Sequence, residues 1–320
     1  MAAQDSGNFN GHVPVLHAEA VEALEPGSAR VLVDATFGGG GHARLMLEKL
    51  PPGGRVFGID RDPQAAERAS ELLRDRRFTF VAGTYDDALA DLVRAGVRAD
   101  GVLFDLGLSS FQIDDAGRGF SYANDGPLDM RMDPSRGVSA AEFLNEAGAE
   151  EITTVLVEYG DIRRGEARRV VREVVRRRPL ESTKDLTEAV RAAVGWKERG
   201  GNPSKKVFQA VRVFVNDEVG SLRRALLEAE RILVPGGRLA VISFHSGEDR
   251  MVKRFIADRE GRCVCPPELP VCVCGAKATL RRGKVVKPSR DEVEANLRSA
   301  SARMRTALRT QEPTTADGEG

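Results

Sequence analysis

"VDATFGGGGHARLML", residues 33–47, combines a short apolar run, an aspartate, four consecutive glycines and the beginning of a helical pattern. This order is typical of the first strand, loop and helix of an α/β unit that lets a ligand approach its backbone. Residues 38–43 satisfy G-x-G-x-x-A, and Asp60 follows about 20 positions later, as the dinucleotide fingerprint requires. The stretch predicts a nucleotide-like ligand, although a glycine-rich turn that only packs strand against helix shares the local pattern.

Short apolar runs alternate with helical patterns around this stretch. Strands are predicted at residues 30–36, 55–60, 78–83, 101–107 and 238–245. Such alternation predicts a doubly wound, Rossmann-like α/β sheet. Loop signals and arginine-rich helical segments fill residues 111–215, so we expect a helical insert there. The predicted domains are therefore a discontinuous sheet domain, residues 1–110 and 216–320, and an insert domain, residues 111–215.

The charge balance of the chain bounds its partners. Lys+Arg and Asp+Glu number 48 each, so a nucleic-acid partner must be bound by a local patch rather than by the overall field. No run of about 18 apolar residues is present, and the first residues lack the basic and apolar regions of a signal peptide. We expect a cytoplasmic protein without a membrane partner. The oligomeric state does not follow from the sequence.

Aspartates end three successive predicted strands: Asp34, Asp60 and Asp105. Ligands of open parallel sheets bind beyond the carboxyl ends of the strands, so these side chains should surround one crevice. Asp34 would repel a pyrophosphate, and residues 38–41 contain no basic side chain. Both observations favour the cationic methyl donor S-adenosylmethionine over NAD(P), which a dehydrogenase would bind. An aspartate that only caps a turn remains the alternative for each position.

Seven segments together resemble one protein family. They are "HVPVL" (12–16), "DATFGGGGH" (34–42), "GIDRDP" (58–63), "DLGLSSFQIDD" (105–115), "RGFSYANDGPLDMRMDP" (118–134), "FQAVRVFVNDE" (208–218) and "PGGRLAVISFHSGEDR" (235–250). The family comprises the bacterial methyltransferases that modify the exocyclic N4 amine of a cytidine in the decoding region of small-subunit (16S) ribosomal RNA. The resemblance covers roughly residues 11–310 and implies S-adenosylmethionine as the methyl donor.

The resemblance also implies contacts with the methyl donor. Carried over by position, they fall on Gly40, Gly41, His42, Asp60, Tyr85, Asp105 and Gln112. Asp60 would bind the ribose and the ring of Tyr85 would lie beside the adenine. The helical insert resembles a lid that helps to hold RNA.

The chemistry of the target amine suggests a catalytic role for Asp105. The lone pair of a cytosine amine is delocalised into the ring, so the amine is a poor nucleophile. An acceptor that holds the amine proton while the nitrogen pyramidalises restores the lone pair. Asp105, or the backbone carbonyls of "DLGLSS" (105–110), could accept that hydrogen bond.

Two basic regions could bind RNA. Residues 161–178 hold eight arginines against three acids on a helical pattern, and a second basic region covers residues 280–290 and 298–309. Such runs are either solvated faces or phosphate-binding tracks. Aromatic residues make up 5% of the chain, so we expect recognition by shape and phosphates, with the target base extruded. The expected partner is small-subunit RNA within an assembled or nearly assembled 30S subunit, with naked RNA as the alternative.

The four cysteines form a local cluster: Cys263, Cys265, Cys272 and Cys274. Two C-x-C pairs around a proline-rich turn could converge on one tetrahedral zinc ion, although the usual two-residue gap within each pair is missing. Reduced thiols in an ordered loop are the alternative.

Three further polar residues have two interpretations each. His245 is either a hydrogen-bonded structural histidine or a contact of the target base, and Asp129 with Arg131 forms either an ion pair or an RNA contact. The whole chain also has rival interpretations, an NAD(P)-dependent dehydrogenase and a non-catalytic RNA-binding protein of ribosome assembly. Methyl transfer to RNA by the pure protein would exclude both.

Overall fold

A computed structural model describes residues 14–195, 202–261, 265 and 275–313. The chain divides into two compact units, Met1–Gly107 with Ser221–Gly320 and Leu108–Gly220. We call the first the sheet unit and the second the helical unit. The sequence predicts changes of domain at 110–111 and 215–216, and the function assigned to each part stays a prediction.

One seven-stranded sheet forms the centre of the sheet unit. Its strands are β1 (Val31–Asp34), β2 (Arg55–Asp60), β3 (Phe78–Ala82), β4 (Ala99–Asp105), β5 (Leu233–Ser243), β6 (Leu280–Val286) and β7 (Arg303–Arg309). The strand order is β3-β2-β1-β4-β5-β7-β6. Strands β1 to β5 pair in parallel, whereas β7 pairs antiparallel with both β5 and β6. The parallel part confirms the predicted doubly wound α/β sheet.

Helices cover both faces of the sheet and build the helical unit. In chain order they are α1 (His17–Glu22), α2 (Gly41–Lys49), α3 (Pro63–Arg68), α4 (Tyr85–Arg94), α5 (Ser110–Asp114), α6 (Ala140–Glu146), α7 (Ala149–Gly160), α8 (Arg164–Arg177), α9 (Thr183–Val194), α10 (Ser204–Val215), α11 (Glu218–Ile232), α12 (Ser246–Asp258) and α13 (Arg290–Ala295). Asp62 begins α3 by accepting a hydrogen bond from the Gln64 N–H, 3.0 Å, with Pro63 as the first helical residue. Residues 64–75, "QAAERASELLRD", have a helical pattern throughout, but α3 ends at Arg68 and a 3₁₀ turn that buries Leu72 follows it.

Apolar strand residues alternate between two buried clusters. Val33 and Phe104 belong to one cluster, and their neighbours Leu32 and Leu103 belong to the other. Strands that are buried on both faces read as continuous apolar runs, which explains why β1 and β4 are recognisable in the sequence.

Strands β6 and β7 are not predicted from the sequence, where they form the second basic region. Five consecutive residues of β6, 281–285, are exposed because the strand lies at the edge of the sheet. Arginines interrupt the apolar residues of β7 in "RMRTALR". Neither strand has the apolar run or the clean alternation by which strands are recognised.

The helical unit has its own apolar core. Helix α8 buries Val170, Val171 and Val174 in it, and it confirms the helical pattern predicted for residues 161–178. The described part of this unit contains no strand, only a bridge between Pro127 and Ser182. Among the described residues of the whole chain, no helix has both the length and the apolar composition needed to cross a bilayer.

Candidate active site

The glycine loop between β1 and α2 is shaped by an aromatic side chain. Gly40 begins α2 with a φ of 80°, a conformation that favours glycine. A Cβ atom at this position would lie 2.6 Å from the Phe37 ring. The ring itself packs against Phe78 and Phe80, with centroid separations of 5.5 and 5.4 Å. Local packing therefore already requires glycine at position 40.

Asp60 connects this loop to the end of β2. Its Oδ2 accepts a hydrogen bond from the Gly38 N–H, 2.7 Å, and its Oδ1 accepts one from the Asp62 N–H, 2.9 Å. Burial raises the pKa of Asp60, against the effect of these two N–H groups. Each carboxylate oxygen can accept more than one hydrogen bond, so both oxygens can still bind hydroxyl groups.

Asp34, at the end of β1, is completely buried. Burial raises its pKa to about 7; repulsion from Asp60 adds to this, and the N–H groups of Thr36 and Ala43 oppose it. Oδ1 accepts a hydrogen bond from the Thr36 N–H at 3.2 Å. A carboxyl group in this state gains a favourable interaction when a cation is placed beside it.

Asp105, at the end of β4, lies close to the same loop. Its backbone N–H donates to the Thr36 hydroxyl oxygen at 2.6 Å, and its side chain is 22% exposed. Burial raises its pKa well above the ordinary value, and repulsion from Asp34 and Glu248 adds to the shift. Asp105 and Asp34 thus lie near enough to repel each other at one end of the sheet.

His42, in the first turn of α2, is a neutral neighbour of Asp105. Burial, with repulsion from His17, lowers the pKa of His42 to about 3, so the imidazole is uncharged near pH 7. The 3.9 Å approach of its Nδ1 to Asp105 Oδ2 is therefore not an ion pair at that pH. The His17 and His42 rings lie 5.5 Å apart, and His17 Nε2 lies 3.0 Å from the Gly41 carbonyl oxygen.

Four buried polar atoms of the sheet unit share a feature. Within the described part of the chain, no hydrogen-bond partner is found for Asp34 Oδ2, His42 Nε2, Asp105 Oδ1 or Ser243 Oγ. Buried polar groups are nearly always hydrogen-bonded, to protein or to water, so these four atoms are available to bind a ligand. Two of them are oxygens of carboxyl groups whose pKa is raised, Asp34 and Asp105. Such groups fit a cationic ligand such as S-adenosylmethionine.

Ser243 was not singled out from the sequence. It ends β5, and the preceding Ile242 pairs with Asp105 across the sheet. The available signal was a polar residue at the carboxyl end of a predicted strand, which is the signal that identified the three aspartates.

Tyr85, the first residue of α4, follows β3. Its ring contacts the Phe104 ring edge to face, with centroids 5.8 Å apart, and is partly exposed. The contact with Phe104 of β4 fixes the orientation of the Tyr85 ring. A flat ligand that packs against an aromatic side chain needs such a fixed ring.

Comparison with known proteins identifies the family. The sequence model of the MraW methylase family matches residues 9–310. The chain belongs to the MraW methylase family. A relative from Rubrobacter xylanophilus, named "Ribosomal RNA small subunit methyltransferase H", is 68% identical over 94% of this chain and 97% of its own length. A relative of the same name from Heliobacterium modesticaldum is 44% identical over 92% of this chain and 97% of its own length.

Comparison with solved structures gives only a weak likeness. The rRNA methylase from Streptococcus thermophilus aligns over 92% of this chain and 94% of that chain, with 12% identity and a TM-score of 0.40. So weak a likeness adds nothing to the family assignment. S-adenosylmethionine is the methyl donor of the family, so the dehydrogenase and the non-catalytic interpretations are not favoured.

Gln112 of this methylase lies in the helical unit. Its Oε1 accepts a hydrogen bond from the Ser109 N–H at 3.1 Å, and Ser109 Oγ accepts one from the Gln112 N–H at 3.3 Å. This reciprocal pair is a capping box at the start of α5. The cap accounts for Gln112 locally, and its contact with the donor stays a prediction.

Structural roles are visible for the three residues that had two interpretations. His245 begins α12, where its Nδ1 accepts a hydrogen bond from the Glu248 N–H at 3.4 Å. Arg131 donates to both carboxylate oxygens of Asp129, at 2.9 and 2.6 Å. The ion pair is therefore confirmed, and it holds the pKa of Asp129 below its ordinary value.

The zinc hypothesis falls largely outside the described residues. Cys265 is described and partly exposed, whereas Cys263, Cys272 and Cys274 are not described. The described residues contain no other cluster of histidine, cysteine or acidic side chains suited to a metal ion. Zinc binding by the four cysteines stays a prediction.

The raised pKa of Asp34 predicts a pH dependence of donor binding. Below pH 7 the free protein holds a proton on Asp34, and a bound cation favours the ionised carboxylate. Binding must then release this proton, so donor affinity should fall about tenfold for each pH unit below 7 and level off above it. Titration calorimetry from pH 5.5 to 8.5 measures this. Asp34→Asn should remove the fall in donor affinity below pH 7. If the slope of log affinity against pH were the same in both proteins, Asp34 would not be the group that loses the proton.

Proposed function

We propose that this methylase transfers a methyl group from S-adenosylmethionine to the N4 amine of a cytidine in the decoding region of small-subunit ribosomal RNA. The carboxyl groups of Asp34 and Asp105 carry the proposal, because each has a buried oxygen without a partner in the described chain and together they suit a cation. The names of the relatives support the RNA substrate. The site of action would be the cytoplasm, where ribosomal subunits mature.

The proposed donor contacts are the positions that the family resemblance implies. When bound, S-adenosylmethionine supplies an electrophilic methyl group attached to a sulfonium. The backbone at Gly40, Gly41 and His42 would approach its methionine part, and Asp60 would accept hydrogen bonds from the ribose hydroxyls. Tyr85 would contact the adenine. Gln112 is proposed as a further donor contact on the resemblance alone.

Asp105 is the proposed catalytic residue. Oδ1 is buried without a partner in the described chain and can accept the hydrogen bond of the target amine. An amine held in this way keeps its lone pair directed at the methyl group, and the carboxylate stabilises the positive charge that develops on nitrogen. Holding the amine in one orientation contributes further to the rate.

The helical unit is proposed to hold the RNA, with α8 as a phosphate-binding surface. Arg168, Arg169 and Arg172 are exposed on this helix. Two other arginines of the run serve the fold: Arg176 pairs with Glu173 at 2.6 Å, and Arg178 donates to the carbonyl oxygens of Leu144 and Ala147 at 2.8 and 2.6 Å.

The triple change Arg168→Gln, Arg169→Gln and Arg172→Gln should weaken RNA binding and flatten its salt dependence. Each phosphate contact contributes about 0.7–0.9 to the slope of log affinity against log salt, so the slope should fall by up to about 2 to 3. Donor affinity should not change. The measurement is a binding titration at several salt concentrations.

A charge-matched control for this variant is Arg30→Gln, Arg76→Gln and Arg98→Gln. These exposed arginines precede β1, β3 and β4, so they lie at the amino ends of the parallel strands, and the site lies at the carboxyl ends. If the α8 variant and this control give the same slope, α8 is a solvated surface.

Labelled methyl transfer tests the proposed function directly. Free small-subunit RNA and intact small subunits from a strain lacking the enzyme should be offered side by side, and the modified nucleoside identified by mass spectrometry. N4-methylcytidine in the subunits, with little in free RNA, is the expected result. Modification of free RNA alone would reject the assembled substrate, and modification at another atom would reject the amine chemistry.

A further inference from the structure

The edge strand β6 presents an unusual basic surface. It ends the seven-stranded sheet, and residues 281–285 are exposed without interruption. From residue 275 to residue 290 the sequence contains six lysines and arginines and no acidic residue. Two of these charges are paired, Lys277 with Glu312 and Arg282 with Glu260, and acidic residues resume at Asp291. The other four cations lie between residues 281 and 290.

The register of the sheet aligns the end of this strand with the proposed catalytic residue. Asp105 pairs with Ile242, Ile242 with Met304, and Met304 with Val286. Because β6 and β5 both run antiparallel to β7, they point in the same direction. Val286 therefore lies three strand spacings from Asp105, about 14 Å, and at the same end of the strands as the site.

The charges at this end of β6 are not neutralised within the described chain. No carboxylate partner is found there for Lys284, Lys287 or Arg290, all three of which are exposed. The arginines of the adjacent β7 differ, since Arg303 and Arg305 both bind Asp249, at 3.1 and 2.7 Å.

We propose that Lys284, Lys287 and Arg290 bind the phosphates of the RNA that flank the target nucleotide. This inference rests on the proposed function and adds a second contact surface, on the sheet unit itself. A nucleotide bound at Asp105 would have its neighbours within reach of this row of cations. The alternative is that the charges only prevent the exposed edge from pairing with another strand, a common role of lysine at sheet edges.

The test compares Lys284→Gln, Lys287→Gln and Arg290→Gln with Arg30→Gln, Arg76→Gln and Arg98→Gln. Both triple variants remove three exposed charges from the sheet unit, at opposite ends of the strands. The probe is the small-subunit RNA, as intact subunits and as a fragment around the target. We expect the β6 variant to raise KM for RNA about tenfold or more, to lower the salt slope by up to about 2 to 3, and to leave kcat and donor affinity unchanged.

Three outcomes would overturn the inference. They are a salt slope and KM equal to those of the control, a loss confined to kcat, and a gain of self-association without any change in RNA binding. The last would assign the charges to edge protection. If the unaltered protein fails to methylate the RNA, the proposed function fails, while the salt slopes of the two triples still decide whether β6 binds RNA.

Discussion

Asp105→Asn should lower the turnover of methyl transfer by about two to four powers of ten, the usual scale for a positioned acid or base. Asparagine keeps the size of the side chain and one carbonyl acceptor, and it removes the charge that would stabilise the attacking amine. If stabilising that amine is the main role of Asp105, the affinities for donor and RNA should change little. Single-turnover kinetics at saturating donor and RNA measure the chemical step without the contribution of binding.

Asp34→Asn is the matched comparison for this variant. It also neutralises a buried carboxyl group at the end of a parallel strand, and Asp34 contributes to the raised pKa of Asp105. We expect it to weaken donor binding at pH 8 while turnover at saturation recovers. If Asp105→Asn behaves in the same way, Asp105 serves the donor. Near-normal kinetics would make it a turn residue, with backbone carbonyls holding the amine.

Asp60→Ala should weaken donor binding by about 1.5 to 3 kcal/mol, the range for hydrogen bonds to a charged group. This corresponds to about a tenfold to a 150-fold rise in the dissociation constant. The change also removes the acceptors of the Gly38 and Asp62 N–H groups, so the loop itself is affected. Titration calorimetry with S-adenosylhomocysteine measures the loss.

A deoxyribose analogue of the same ligand separates the two effects. The unaltered protein should bind it more weakly than the ribose form, whereas Asp60→Ala should bind both equally, because the partner of the hydroxyl is gone. Equal weakening of the two ligands by the substitution would instead mean that Asp60 acts through the loop alone.

The parallel sheet could be predicted because its strands are apolar on both faces and end in polar residues. Asp34, Asp60 and Asp105 were recognisable for that reason, and Ser243 carried the same signal. The burial and the hydrogen-bond partners of these side chains could not be predicted. The sequence does not reveal that Asp34 Oδ2 lacks a partner among the described residues, or that the Asp34 pKa rises to about 7.

Other features depend on contacts between distant parts of the chain. Arg178 looks like one more member of a basic run, yet it binds carbonyl groups more than 30 positions earlier in the sequence. β7 was not recognised because arginines interrupt its apolar residues, and two of them, Arg303 and Arg305, bind Asp249 of α12. Side chains that are neutralised far along the sequence are indistinguishable, in the sequence alone, from side chains that bind a partner.

Because of the Phe37 ring, the glycine loop becomes ordered when the protein folds and not when a ligand binds. The ring occupies the space beneath Gly40 and contacts Phe78 and Phe80, and a Cβ at Gly58 would lie 2.7 Å from it. The loop is thus preorganised by aromatic packing that involves no ligand atom. The conformational entropy lost by its residues, about 1 to 2 kcal/mol each, is lost during folding and not during association. A smaller side chain at position 37 would move that loss to the binding step, so ligand affinity would fall even though no group that touches the ligand had changed.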